Sequence, residues 1–185
     1  MDGIDVRNYK LSRLRNKIGV VPQKAVLFAG SIADNIKWGK QNATEAEIEE
    51  ALEIAQAKEF VDAKDGGIHF QITQGGKNLS GGQKQRLTIA RAIVRKPDIL
   101  ILDDSASALD FATDAALRKA IREQTDEMTV FIVSQRASTI MNADKIIVMD
   151  DGEIAGIGTH KTLLSDCEVY QEICQSQLSQ ADLGA

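Results

Sequence analysis

The stretch from Leu79 to Asp110 constrains this chain more than any other. It opens with Leu79-Ser80-Gly81-Gly82-Gln83, continues as a basic helical pattern to Arg95, and turns at Pro97-Asp98. The apolar run Ile99-Leu100-Ile101-Leu102 follows, then Asp103-Asp104 and Ser107-Ala108-Leu109-Asp110. A Ser-Gly-Gly turn feeding a helix lets the backbone approach a ligand closely. Its free N–H groups and the positive end of the helix dipole then favour an anion. An apolar strand ending in carboxylates supplies hard oxygen donors at the edge of a sheet, where α/β proteins bind ligands. Each half alone is commonplace, a turn or a strand leaving the core. Their order and proximity are specific.

With 185 residues the chain has room for one domain with a proper core, or most of a larger one. Apolar residues make up 43% and charged residues 26%, ordinary for a soluble globular protein. A net charge of −5 argues against nucleic acid as the main ligand. No apolar run has the length of a membrane span, and no signal peptide opens the chain, so the reading is cytosolic, with membrane contact made through a partner or a further segment. Cys167 and Cys174 are spaced to share one helix face and read as two free thiols.

Taken in order, residues 1–17 show little apolar mass, and Ile18-Gly19-Val20-Val21 reads as a short buried strand stopped by Pro22-Gln23. The stretch Val26–Ile36 reads as a loop with apolar residues. Thr44 with Glu47 three residues on forms a capping box that starts a helix running to about Lys58, with Ile48, Ala51, Leu52 and Ala55 on its buried face. Residues 65–78 are glycine-rich and predict a mobile loop. Helices are expected over Gly82–Arg95 and Asp110–Gln124, the first with Ser80 placed either to cap it or to bind phosphate. A strand is expected over Thr129–Val133, a hairpin about Asp150-Asp151-Gly152, and a helical tail from His160. Alternating strand and helix argue an α/β fold with a parallel sheet.

LSGGQKQR, ILILDD and SALD together resemble the signature, Walker B and D-loop of ATP-binding cassette (ABC) proteins. MDGIDVR, LRNKIGVVPQ, LFAGSIADNI and GEIAGIGTH extend the resemblance along nearly the whole chain, in the manner of exporters. It implies a P-loop NTPase (RecA-like) parallel-sheet core with an inserted α-helical signature subdomain. The core would take residues 1–23 and 97–185, and the Q-loop with the helical subdomain about 24–96. The ligands implied are ATP and Mg²⁺, with Asp103 and Gln23 on the metal. Gln23, Ser80, Gly81, Gly82, Gln83 and Asp110 would contact nucleotide, and Asp104 and Gln135 would be catalytic. A second nucleotide domain would pack head to tail, each signature gripping the γ-phosphate held by the other chain. Phe28 becomes a candidate contact with the coupling helices of a transmembrane domain, on the cytoplasmic face of the plasma (inner) membrane. The 55 residues between Gln23 and Leu79 exclude the long coiled-coil insertion of chromosome-maintenance relatives.

No G-x-x-x-x-G-K-[ST] occurs in these residues, so the chain is expected to be a cassette lacking its N-terminal strands, P-loop and first helix. Two positions depart from the family pattern. Asp104 stands where the general base is usually glutamate, one methylene and more than about 1 Å shorter in reach. Gln135 stands where the switch residue is usually histidine, and an amide cannot take up a proton at neutral pH. Both departures would fall on the site built with this chain's own Walker B, whereas the signature, which serves the other site, is intact. That combination resembles the degenerate half of a heterodimeric exporter. The alternatives are a non-catalytic binding module, a fragment unable to bind ATP alone, and a soluble cassette ATPase of translation.

Overall fold

The computed structural model describes residues 1, 3–105, 107–124 and 128–178, which fall into two units, Met1–Val133 and Ser134–Ala185. The first contains, in order, α1 (Leu11–Lys17), β1 (Ile18–Val21), β2 (Gly30–Ser31), α2 (Ile32–Lys37), α3 (Glu45–Ile54) and α4 (Lys58–Asp62). It continues with β3 (Gln71–Ile72), α5 (Gly81–Ile93), β4 (Ile99–Asp103), α6 (Phe111–Gln124) and β5 (Thr129–Val133). The second contains α7 (Ala137–Ile140), β6 (Ile146–Asp150), β7 (Glu153–Gly158), α8 (His160–Asp166) and α9 (Glu168–Gln177).

The apolar run of β4 becomes the middle strand of a parallel sheet, ordered β1-β4-β5. Ile18 pairs with Ile99 and Val21 with Leu102, while Ile99 pairs with Thr129 and Asp103 with Val133. This is the α/β parallel-sheet class the sequence predicts. Parallel pairing brings the carboxyl ends of all three strands to one edge, so Gln23, just past β1, and the two aspartates at the end of β4 become neighbours. Leu87, Ile89 and Ala90 on α5 are fully buried, and the helix packs against β1, α2 and α3. Its axis, and therefore the direction of its N-terminus, is set by that apolar face.

Three local expectations are corrected. The helix expected from Thr44 to about Lys58 stops at Ile54, because Gln56 is left-handed (φ 55°) and the chain restarts at Lys58. Buried Ala55 and Ala57 draw that elbow into the core, and Ala57 N–H closes it on the Leu52 carbonyl at 2.8 Å. Val26–Ile36 is not loop throughout: Ser31 and Asp34 form a capping box that starts α2. Residues 65–78 contain helical turns at Gly67–His69 and Gln74–Gly76, and β3 pairs antiparallel with β2. Asn78 closes this segment by accepting from Thr73 N at 3.1 Å and donating to the Gln71 carbonyl at 2.9 Å.

In the second unit β6 and β7 form the expected hairpin, with Asp151 and Gly152 at positive φ in the turn. Its core gathers Ala137, Ile146, Val148, Leu163, Cys167, Tyr170 and Cys174. The two cysteines are free thiols and both buried, but they share this cluster rather than a helix face, since Cys167 is the extended residue between α8 and α9. The Tyr170 hydroxyl lies 2.8 Å from His160 Nδ1, and burial pushes it well above the usual phenol range. His160 Nε2 is buried without a partner among the described residues. Tyr170→Phe leaves the imidazole without its Nδ1 partner and is expected to cost about 2 kcal/mol in urea unfolding. A loss near zero would show that the hydroxyl is expendable.

Candidate functional site

At the carboxyl edge of the sheet, Asp103 ends β4 and is exposed. Asp104 turns left-handed (φ 42°), a conformation aspartate tolerates better than most residues. Its N–H donates to the Val133 carbonyl at 2.9 Å, and its own carbonyl accepts from Ser107 Oγ at 2.8 Å. The side chain is held by Gln23, whose Nε2 donates to Asp104 Oδ2 at 3.1 Å. Since the amide nitrogen of Gln23 is spent on Asp104, its oxygen is the atom left for a cation. No group of three or more His, Cys, Asp or Glu among the described residues could hold a metal by itself. The donors present do fit magnesium bound with a nucleotide: one or two hard oxygens from protein, the rest from phosphate and water.

At the start of α5, Ser80 Oγ accepts from Gln83 N–H at 3.2 Å and Gln83 Oε1 accepts from Ser80 N–H at 3.1 Å. Of the two roles open to Ser80, this geometry displays the cap. The capping box leaves the Gly81 and Gly82 amides without an intrahelical partner at the positive end of the helix. Gly81 has open space around it, whereas a Cβ on Gly82 would lie 3.1 Å from the Ala108 carbonyl. The signature turn thus packs on the Ser107–Leu109 loop. Asp110 caps α6, accepting from Thr113 N–H at 2.9 Å and Oγ1 at 2.8 Å, and those bonds hold its carboxyl below the usual range.

Sequence reasoning missed several residues of this region. Arg86 Nη1 donates to the Gln56 carbonyl at 2.6 Å, and its guanidinium sits 4.8 Å from the centre of the Phe60 ring, pinning α5 to the α3–α4 elbow. Trp38 is 69% exposed and stacks on Phe28, itself 44% exposed, with centroids 4.8 Å apart. Beside them is a cleft lined by Val20, Pro22, Val26, Trp38, Arg91 and Arg95. A single exposed tryptophan has no local pattern that marks it. Gln135 belongs to the second unit, where its carbonyl accepts from Gln177 Nε2 at 2.9 Å.

A parallel sheet with a Gly-Gly-started helix and paired carboxylates at its carboxyl edge defines a nucleotide-binding class of α/β protein. A family model described as ABC transporter matches residues 1–107, and the chain belongs to that family. An uncharacterized ABC transporter ATP-binding protein of Mycobacterium tuberculosis is 47% identical over 100% of this chain and 32% of its own length. The beta-(1→2)glucan export ATP-binding/permease protein NdvA of Rhodopseudomonas palustris is 44% identical, over 96% of this chain and 29% of that protein. A solved structure of a bacterial Atm1-family ABC exporter with ATP bound superposes with a TM-score of 0.91 at 35% identity, over 97% of this chain and 32% of that one. The chain therefore spans about a third of the length of these three relatives. No helix among the described residues is long and apolar enough to cross a membrane.

Proposed function

We propose that this chain acts as a nucleotide-binding domain of an ABC exporter, completing ATP hydrolysis in a partner cassette more effectively than in its own. The observation that carries this reading is the contrast between the two ends of the Leu79–Asp110 stretch. The start of α5, on an intact signature, presents Gly81 and Gly82 amides that lack an intrahelical partner, suited to a phosphate held by a second nucleotide domain packed head to tail. At the other end, Asp104 is short and engaged by Gln23 at 3.1 Å. Asp103 and the Gln23 oxygen would hold magnesium, which when bound neutralises phosphate charge and aligns the transferring group. Asp104 would orient water poorly, since misplacement by about 1 Å costs roughly a hundredfold in rate. Gln135 would contact phosphate without taking up a proton.

In this reading residues 1–23 and 97–185 belong to the ATPase core and about 24–96 to the Q-loop and helical subdomain. Phe28 and Trp38 meet the coupling helices of a transmembrane domain, which places the chain on the cytoplasmic face of a membrane. The net charge of −5 supports the absence of a nucleic-acid partner.

The deciding measurement is steady-state ATPase activity of the assembled protein. Replacing the partner cassette's glutamate with glutamine is expected to lower turnover by about a hundredfold or more. Asp104→Glu is expected to change the total only a few-fold, because the Gln135 departure remains. A large rise with Asp104→Glu, together with no loss on removing the partner's glutamate, would reverse the assignment of sites.

A further inference from the structure

The helix that begins at the signature also grips the backbone on both sides of Gln23. Gln85, 1% exposed, donates to the Pro22 carbonyl at 3.4 Å. Two turns further on, half-buried Arg91 makes three bonds. Its Nη1 reaches the Val26 carbonyl at 2.9 Å, its Nε the Asn35 carbonyl at 2.8 Å, and its Nη2 the Asn35 Oδ1 at 3.0 Å.

Asn35, 2% exposed, passes the connection on. Its Oδ1 accepts from Phe28 N–H at 2.9 Å, and its Nδ2 donates to the Phe28 and Ser31 carbonyls at 2.9 and 3.0 Å. The Arg91 guanidinium also lies 5.6 Å from the centre of the Phe28 ring. Two residues past the end of α2, a Cβ on Gly39 would sit 1.9 Å from the Arg91 carbonyl, so the two backbones are in direct contact.

We infer that Arg91 and Asn35 are positioning residues that lock the exposed Phe28–Trp38 pair to α5, so that movement of the signature turn moves this surface with it. The acceptors of Arg91 are two backbone carbonyls and one amide oxygen, all uncharged. A rigid planar fork that spans three fixed acceptors transmits displacement, and a lysine, a point charge on a flexible stem, cannot span all three. Ser80 lies eleven residues before Arg91 on the same helix, about 16 Å at the α-helical rise. A rotation of α5 about its packed middle therefore displaces both ends. The inference rests on the proposed role of the Ser80–Gln83 turn in gripping nucleotide.

Amide hydrogen exchange on the assembled protein tests it, with the partner's glutamate replaced by glutamine so that added MgATP persists. MgATP is expected to slow exchange about tenfold both in residues 80–93 and in residues 26–38. In Arg91→Lys and in Asn35→Ala, protection of 80–93 should persist within about twofold while that of 26–38 returns to the nucleotide-free rate. Should Asn35→Ala not fold, Arg91→Lys alone decides. Persistence of protection at 26–38 in Arg91→Lys overturns the inference, and so does loss at both segments, which would mean a merely structural role. Absence of protection at 80–93 in the unsubstituted protein sinks the nucleotide-gripping role itself, and the inference falls with it.

Discussion

Gly81→Asp is expected to leave folding intact and to lower ATP turnover of the assembled protein by about a hundredfold. A Cβ at Gly81 meets nothing within 4 Å, so the new side chain fits without moving a neighbour. The position is the first residue of α5, where a carboxylate interacts favourably with the helix dipole, by about 0.3–1 kcal/mol. The thermal midpoint should therefore hold or rise slightly. The same negative charge would occupy the place where the helix end is proposed to receive phosphate, and there it repels. Gly81→Ala adds volume without charge and separates the two causes, since only the aspartate should inhibit strongly. Gly82 is less informative, because a Cβ there lies 3.1 Å from the Ala108 carbonyl and confuses packing with chemistry. Unchanged turnover in Gly81→Asp would remove the Ser80–Gln83 turn from the reaction.

Gly39→Ala carries the largest expected effect on stability. The added methyl would come within 1.9 Å of the Arg91 carbonyl and 2.9 Å of Val94 Cγ1. Backbone on both sides cannot yield as a flexible side chain would, so α2 and α5 must separate. Overpacking of this kind costs about 3 kcal/mol, or roughly 9 °C in Tm for a chain of this size. The cause is steric and not conformational, since Gly39 is absent from the positive-φ residues. A shift under about 0.5 kcal/mol, the range of an ordinary surface substitution, would mean that the close approach does not persist in solution.

Much of the local structure was legible. The capping box at Thr44 starts α3 as expected, because an N-cap hydroxyl and a side chain three residues on satisfy the same orphan donors wherever they occur, and at α5 Ser80 takes the cap, one of the two roles its sequence left open. The apolar run of β4 and the Asp151-Gly152 turn were equally direct. The Ser31–Asp34 box that starts α2 carries the same signal, set among residues that otherwise read as loop. The elbow at Gln56 was not legible: a left-handed glutamine follows from the burial of Ala55 and Ala57, which belongs to packing and not to propensity.

The amino-acid order by itself determined the family, the α/β class, and the residue types available for phosphate and metal. It also determined the shortness of Asp104 and the amide at Gln135. Only the tertiary structure decided which of these meet. Gln23 and Asp104 are 81 residues apart and touch because β1 pairs in parallel register with β4. Arg91 and Asn35 are 56 residues apart and touch because α5 lies across α2. Periodicity and capping act within a few residues, so they encode elements. Register and helix packing depend on the shape of whole buried faces, which no short window of sequence contains.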